Sequence, residues 1–507
     1  MKYIDRLRDV PHYHRSRTRS QDRRQDDVRP FFRRGLDKIL GNAQATIDTI
    51  EPGSIVVAPR KPIALDDEAA ITEVLDLAAK IGAVLLDSGT GAIDTRRQIE
   101  FVAGIYGLED IDVDVTFNTI MICARRGFSL PPVMAMRTVH YRSMDFTRLA
   151  HVDRLVRRIR QLAITPGTAH RIVDEIIAAR HPYPYWVATI GWGVMAAGVS
   201  ILLGGTAFVG LTSFITTLVI VTVNRRLARD GTPMFFQQFA GGFIAVMPAA
   251  TLFHWREQIG VDFLPSQIIA AGIVVLLSGL SLVGSVQDAI TGAPITGTAR
   301  FSEVVLQTGG ILAGVALALR VTEWFGVFLP GLGTQTPFGP VDTLTRMTGA
   351  ALAAGAFALA SYAERRAIPV AFGAGVVASG VAFGLALTQA GTIVASAAAA
   401  IVVGLVGGLA ARRALTPPLV IAVAGITPLL PGLAIYRGLY GIMSGQSLEG
   451  FGQVAAALTT GCALAAGVTL GEFLARSLRR PSIPAVLVRI PVRPEHFPRR
   501  KPRRESP

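Results

Sequence analysis

Residues 276–292 read LLSGLSLVGSVQDAITG and residues 429–445 read LLPGLAIYRGLYGIMSG. Leu276/Leu429, Leu277/Leu430, Gly279/Gly432, Leu280/Leu433 and Gly292/Gly445 match at a constant spacing of 153 residues, the mark of an internal duplication. Both stretches lie at the end of long apolar runs. Counting outward from them gives ten such runs, at roughly 186–204, 206–223, 235–253, 264–284, 303–321, 344–362, 367–387, 390–411, 415–436 and 452–473. Runs of that length cross a bilayer as helices, because lipid offers the backbone no other hydrogen-bond partners. The matching stretches fall in the fourth and ninth runs, so the repeating unit has five spans. Five is odd, and a tandem second copy must enter the membrane upside down. The expected fold is an α-helical polytopic membrane protein: ten transmembrane helices as two five-helix inverted repeats, 186–321 and 344–473. Pro248, Gly279, Pro428, Pro431 and Gly432 are placed to break helices near membrane depth and expose half-helix ends to ions or substrate. Most of the 52 glycines serve close helix packing instead.

Composition agrees. The 507 residues are 50% apolar and 17% charged, and the mean hydropathy is +0.44, which excludes an ordinary soluble enzyme. The net charge of +14 sits at the ends: 11 Lys/Arg against 5 Asp/Glu in residues 1–34, and 10 against 2 in residues 474–507. The rest of the chain carries 29 of each sign. Neutral in the middle and basic at both tails, the chain suits anionic lipid headgroups rather than nucleic acid, which requires a basic face on a folded domain. Cys123 and Cys462 are too few for a disulfide scaffold or a metal cage.

Residues 1–34 lack the apolar run of a secretory signal, so the N-terminus is expected in the cytoplasm. The even connections are then cytoplasmic, and they hold Arg225, Arg226, Arg229, Arg300, Arg365, Arg366, Arg412 and Arg413. The outer connections hold Arg256, Arg320, Arg346 and Arg437. This imbalance fits ten spans with both termini inside a cell membrane. Trp186, Trp192, Trp255 and Trp324 lie at or beside span ends, where they act as interfacial anchors.

Between the basic tail 1–34 and the first span, residues 35–180 read as a cytoplasmic α+β domain. DDEAAITEVLDLAAKIGAVLL (66–86) is an amphipathic helix with acidic residues in its first turn. A polar stretch, DSGTGAIDT (87–95), leads to a second helix ending at Gly107. Val113, Val115 and Phe117 alternate with Asp112, Asp114 and Thr116 in a strand that turns at Asn118 into another. TVHYRS (138–143) is the expected third strand. Helices follow at Phe146–Leu162 and Pro166–Arg180, the latter with Thr165 as N-cap.

AAKIGAVLLDSGTGAIDTRRQIEFVAGIYGL followed by DVDVTFNTIMI resembles the N-terminal domain of the bacterial threonine/serine exporter family. VQDAITGAPITGTARFSEV and PLLPGLAIYRGLYGI are similar to its first and second membrane halves, so the resemblance covers about residues 66–472. Ser88, Gly89, Thr90, Asp94, Thr95, Asp114, Thr116, Asn118 and Thr119 match the family's domain motif. An Arg-Val-Glu triplet of some relatives is only partly followed by Arg96, Arg97 and Glu100. The resemblance implies export of L-threonine and L-serine from the bacterial cytoplasm, and proton antiport as the energy source. Read without it, Ser88–Thr95 is a capped interhelical turn and Asp114/Asn118 shape a hairpin.

Ionised and polar groups at membrane depth cost ~2.5–3.5 kcal/mol each and are seldom kept without a role. Those in or beside the spans are Asp288, Arg300, Glu303, Gln237, Gln238, Gln307, Gln389, Tyr436, Arg437 and Glu472. Asp288 and Arg300, flanking the TGAPITG turn, offer a zwitterion both signs; Glu303 is the selected proton carrier. A plain interfacial ion pair and a first-turn carboxylate are the structural alternatives. No nucleotide-binding motif is visible, and no cofactor or metal is expected. A proton moving inward gains ~2.3 kcal/mol per 100 mV, enough for a substrate gradient of roughly forty-fold at ~1.4 kcal/mol per tenfold. Two other functions remain open. Dicarboxylate export would use two cations such as Arg300 and Arg437. A membrane-tethered hydrolase would draw on Ser88, Asp94, His140 and His151, although G-x-S-x-G and H-E-x-x-H are absent. A homo-oligomer is compatible with the sequence.

Overall fold

The computed structural model describes residues 63–127, 130–139, 144–162, 164–277, 279–329, 340–388, 391–414 and 417–479. The basic tail 1–34, the C-terminal tail beyond 479, His140 and Gln389 lie outside them.

Helix α1, Glu68–Asp87, begins where the Asp67 carboxylate accepts the Ala70 N–H at 3.0 Å. Ile71, Val74, Leu75, Ala78, Ile81 and Leu85 recur at helical spacing and are fully buried. After α2, Ala92–Ile105, strands β1 (Ile111–Thr116), β2 (Thr119–Arg126) and β3 (Leu130–Thr138) form an antiparallel sheet in that order. Val113 pairs with Ile122 and Val115 with Ile120, all four buried, while Asp112, Asp114 and Thr116 face outward. Helices α3, Phe146–Leu162, and α4, Pro166–Ala178, complete this N-terminal α+β part. The third strand, Leu130–Thr138, reaches only the first residue of the expected 138–143, of which 140–143 lie outside the described residues. Pro131 and Pro132 mask it in a propensity reading, yet an edge strand tolerates proline at its start. Thr165 stands at the α4 N-cap, but its hydroxyl bonds Thr168 Oγ1 at 2.9 Å rather than the helix backbone.

The long helices follow: α5 (Tyr185–Leu202), α6 (Ala207–Arg229), α7 (Met234–His254), α8 (Pro265–Leu276), α9 (Gly279–Thr291), α10 (Pro294–Trp324), α11 (Pro340–Ala360), α12 (Ala367–Ala386), α13 (Thr392–Ala414), α14 (Pro418–Ile426), α15 (Gly432–Met443) and α16 (Ser447–Arg479). Among the described residues, eight segments are long and apolar enough to cross a membrane, counting Pro418–Met443 as one. They are nine when the α8–α9 pair, bent by 51°, counts as one span. α11 occupies the expected sixth run but is not among them, its first turns carrying Asp342 and Arg346. Both runs that hold the duplicated motif are therefore broken helices. α10 starts at Pro294, well before the expected 303, so only Gly292 and Ala293 separate it from α9, and Arg300 lies inside a helix.

Packing repeats between the halves. Pro265 and Pro418 open α8 and α14, Gly279 and Gly432 open α9 and α15, and Pro294 and Ser447 open α10 and α16, each pair 153 residues apart. α5 packs on α6 as α11 does on α12; α7 packs on α8 and α10 as α13 does on α14 and α16. α5 and α11 cross in opposite directions, since Gly191 lies against Ala356 and Ala360 while Gly198 lies against Gly349 and Ala353. The crossing is reciprocal: a Cβ on Gly198 would stand 2.7 Å from the Gly349 carbonyl oxygen, and one on Gly349 2.7 Å from that of Gly198.

Long-range contacts sort to two ends of the bundle. At one end the α+β part meets the α9–α10, α11–α12 and α13–α14 connections and α16 near its C-terminus. There the Arg225 guanidinium also lies over the Tyr185 ring, joining the end of α6 to the start of α5. At the other end Gln267 donates to the Leu203 carbonyl, Arg346 sits by Gly204, and Tyr440 O–H donates to the Leu329 carbonyl.

Candidate functional site: a buried ion pair under the N-terminal motif

Two motifs nearly two hundred residues apart converge on Asp288. This residue is fully buried on α9, and its Oδ2 accepts from Arg300 Nη1 at 2.6 Å; Arg300, on α10, is only 2% exposed. The other carboxylate oxygen accepts the Ala92 backbone N–H at 2.6 Å. Ala92 is the first residue of α2 and follows Gly91, which has no side chain to cap the helix. Asp288 thus supplies from the helical bundle the anionic cap that α2 lacks, at the end where the helix dipole favours negative charge. A Cβ on Gly91 would come within 3.0 Å of the same carboxylate oxygen.

The rest of the N-terminal motif surrounds this contact. Ser88 is fully buried and donates to the Val84 carbonyl at 2.8 Å, Gly89 takes a left-handed turn at φ 91°, and Thr95 is buried on α2. Asp94 accepts from Gln287 Nε2 at 3.4 Å and lies 3.8 Å from Arg476 of α16. Thr90, Gly91, Asp94 and Leu149 line a cavity of about 30 Å³ with Gln287, Pro417, Pro418, Leu419 and Glu472. That is room for roughly two water molecules. The hairpin docks beside it: the Phe117 N–H donates to Thr296 Oγ1 at 3.1 Å, and Thr296 donates to the Val115 carbonyl at 3.3 Å. Asp114 accepts from Thr116 Oγ1 at 2.8 Å, Thr119 donates to Asn118 Oδ1 at 3.4 Å, and the Asn118 carbonyl takes the Val139 N–H.

A second docking point lies on the α11–α12 connection. Thr147 Oγ1 donates to the Tyr362 carbonyl, Arg154 pairs with Glu364, and His151 stands 3.9 Å from the same carboxylate. Burial, aided by the nearby Arg154 charge, lowers the His151 pKa, while Glu364 opposes the shift. The described non-glycine residues with left-handed backbone are Phe117 (φ 54°) and Tyr362 (φ 55°), one at each docking point. Such strain persists only where its surroundings over-determine it.

The remaining residues fall elsewhere. Glu303 is half-buried and accepts from Gln307 Nε2 at 3.3 Å. Gln237 is tied to the Thr232 carbonyl at 2.8 Å, and its neighbour Gln238 is the one turned inward, 5% exposed. Tyr436, 1% exposed, and half-buried Arg437 lie on α15 where Val283 and Gly284 lie on α9, apart from Asp288. Arg96 and Glu100 form a surface pair at 2.7 Å. Gln287, Thr296, Glu364 and Arg476 were missed; Gln287 and Thr296 stand inside the very motif that held Asp288.

Long apolar helices, two of the spans broken, and ionised groups buried where helices meet define a multi-pass membrane protein. The family model described as "Putative threonine/serine exporter" matches residues 76–322, and that described as "Threonine/Serine exporter, ThrE" matches residues 346–474. The chain is 44% identical over 425 residues to the "Threonine/serine exporter" of Corynebacterium glutamicum, covering 84% of this chain and 87% of the relative. It is 39% identical over 419 residues to the "Probable threonine/serine exporter" of Mycobacterium tuberculosis (strain ATCC 25618 / H37Rv), covering 82% and 78%. The chain belongs to the threonine/serine exporter family. No solved structure matches it.

Proposed function

We propose that the protein exports threonine and serine from the cytoplasm as a proton-driven secondary transporter of the bacterial cell membrane, with the α+β part as a cytoplasmic gate on its inner mouth. The observation that carries the gating role is the Asp288 carboxylate shared between Arg300 and the N-terminus of α2. A substrate α-carboxylate is the same chemical group, so it competes with Asp288 for both donors, and its arrival loosens the domain from the bundle. The substrate ammonium finds Asp94 and Glu472 on the wall of the adjoining cavity. At its present size that cavity is too small for threonine, which fits a closed inner mouth.

Ten spans and an inverted repeat make the two ends consistent. With α8–α9 and α11 as spans, the connections touched by the α+β part all fall on one side, together with the arginine-rich loops. The opposed directions of α5 and α11 across Gly198 and Gly349 are those of first helices in upside-down copies. Both termini are then cytoplasmic, and the basic tails meet anionic headgroups. Glu303 is the proton carrier in this scheme. The dicarboxylate reading loses ground because the adjoining cavity wall carries Asp94 and Glu472, which repel a second carboxylate where they would receive an ammonium. The hydrolytic reading loses its nucleophile, since the Ser88 hydroxyl is buried in a helix end and donates to a carbonyl.

The test is intracellular threonine during dipeptide feeding, with and without the protein. Accumulation should fall when the protein is present, and Asp288→Asn and Glu303→Gln should each restore it. Equal accumulation in all strains would reject the assignment.

A further inference from the structure

Thr212 and Thr222 on α6 donate to the Phe208 and Leu218 carbonyls at 2.9 and 2.7 Å, as hydroxyls in helices commonly do. Three of their neighbours do not. Ser213, Thr216 and Thr217 are 1%, 2% and 0% exposed, and among the described residues Ser213 Oγ, Thr216 Oγ1 and Thr217 Oγ1 have no hydrogen-bond partner. Nor do Asn224 Oδ1, further along the same face of α6, and Gln238 Oε1 on α7. Buried polar atoms in a span are normally satisfied within the protein, because lipid cannot satisfy them.

These groups form a line. Ser213, Thr216/Thr217, Ile220 and Asn224 recur at helical spacing on the face of α6 turned to α7 and α8: Ile220 lies 3.7 Å from a Cβ built on Gly272, and Asn224 Nδ2 3.3 Å from one built on Gly241. Gln238 is one turn before Gly241 on α7, and its Cβ lies 3.3 Å from one built on Gly310 of α10. One turn before Gly310 is Gln307, which donates to Glu303. The line runs from near the outer start of α6 to the carboxylate of Glu303 near the inner start of α10. Neighbours one turn apart are about 5–6 Å from Cβ to Cβ. One bridging water suits that spacing better than a direct hydrogen bond, whereas Thr217 and Asn224, two turns or about 10 Å apart with apolar Ile220 between them, take a chain of two or more waters.

We propose that the Ser213–Thr216–Thr217 face of α6, continued by Asn224, Gln238 and Gln307, is a water-filled proton path between the outer side and Glu303. The inference rests on the proton-coupled reading above. Each water or hydroxyl on the path accepts one proton from its outer neighbour and releases another inward, ending with Glu303 protonated; the glutamic acid then gives that proton to the cytoplasm. The path carries no charged side chain before Glu303, so it suits a proton on water and not a zwitterionic amino acid. Arg225, Arg226, Arg229 and Asp230 cluster at the inner end of α6, and His254 lies at the outer end of α7.

The experiment uses the full-length protein in liposomes with labelled threonine, reading counterflow at equal pH and pH-gradient-driven accumulation side by side. The variants are Ser213→Ala/Thr216→Val/Thr217→Val and, keeping the hydroxyls, Thr216→Ser/Thr217→Ser. Because these hydroxyls have no hydrogen-bond partner among the described residues, replacing them by apolar side chains should leave folding intact. The apolar triple variant should keep counterflow within twofold of wild type and lose at least tenfold of gradient-driven accumulation, while the serine variant behaves as wild type. Unchanged gradient-driven accumulation in the triple variant overturns the path, as does a parallel loss of counterflow in a variant that remains folded by its melting curve. If the triple variant does not fold, Thr217→Val alone decides, with the same two readings. Wild-type flux that ignores the pH gradient refutes the coupling itself and is a distinct failure.

Discussion

Asp288→Ala removes two things at once. Arg300, 2% exposed, loses the carboxylate at 2.6 Å, and the N-terminus of α2 loses its cap. Deleting one partner of a buried ion pair costs ~3–5 kcal/mol, and deleting a helix N-cap a further ~1 kcal/mol. Asp288→Asn separates the effects, since an asparagine oxygen still accepts the Ala92 N–H but leaves the guanidinium unneutralised. Asp288→Leu with Arg300→Met removes both charges and should recover most of the loss, because apolar replacement of a buried pair is often neutral. Thermal unfolding and hydrogen exchange at Ala92–Thr95 read the two terms. The expected order of stability is wild type, the apolar double variant, Asp288→Asn, then Asp288→Ala. Exchange at Ala92–Thr95 should be fast in the alanine and double variants and slow in the asparagine variant. Threonine efflux should be lost in the double variant despite its stability. Wild-type efflux there would reduce the pair to a structural element and refute the competition for Arg300.

Gly198→Ala would drive a Cβ to 2.7 Å from the Gly349 carbonyl and force α5 and α11 apart, costing ~1–3 kcal/mol and visible as a lowered melting temperature in detergent. Thr296→Val removes the donor to Val115 and the acceptor for Phe117, and should cost ~1–3 kcal/mol of docking, read as faster proteolysis at the β1–β2 turn. The His151 pKa is lowered in the fold, so the unfolded chain binds more protons below its ordinary 6.5. Stability should therefore be full above that pH and decline as the pH falls, and His151→Gln should flatten the decline in a pH series of melting curves.

Much of this was legible in sequence because duplication and hydropathy are averaged over many residues. Gly279, Pro428, Pro431 and Gly432 marked where helices break, whereas Pro248, read in the same way, sits inside the unbroken α7; the alternation at Val113 and Val115 predicted β1 and β2. Single contacts between distant segments carry no such signal. Nothing in DSGTGAIDT announces that its helix is capped from outside, although Gly91, at a position where Ser or Asp would normally cap, is a hint in retrospect. The hydroxyls of α6 look like ordinary span residues until Ser213, Thr216 and Thr217 prove to have no hydrogen-bond partner among the described residues. Charge counting selected Asp288 and Arg300 but could not tell Gln237, tied into a turn, from Gln238, which faces inward.

Purified protein in liposomes loaded with labelled threonine puts the central claim to its most direct test. With an inward proton gradient, threonine should leave the compartment equivalent to the cytoplasm against its own gradient, and serine but not succinate should slow it. Threonine leakage no faster than from protein-free liposomes, or competition by succinate alone, would contradict the account.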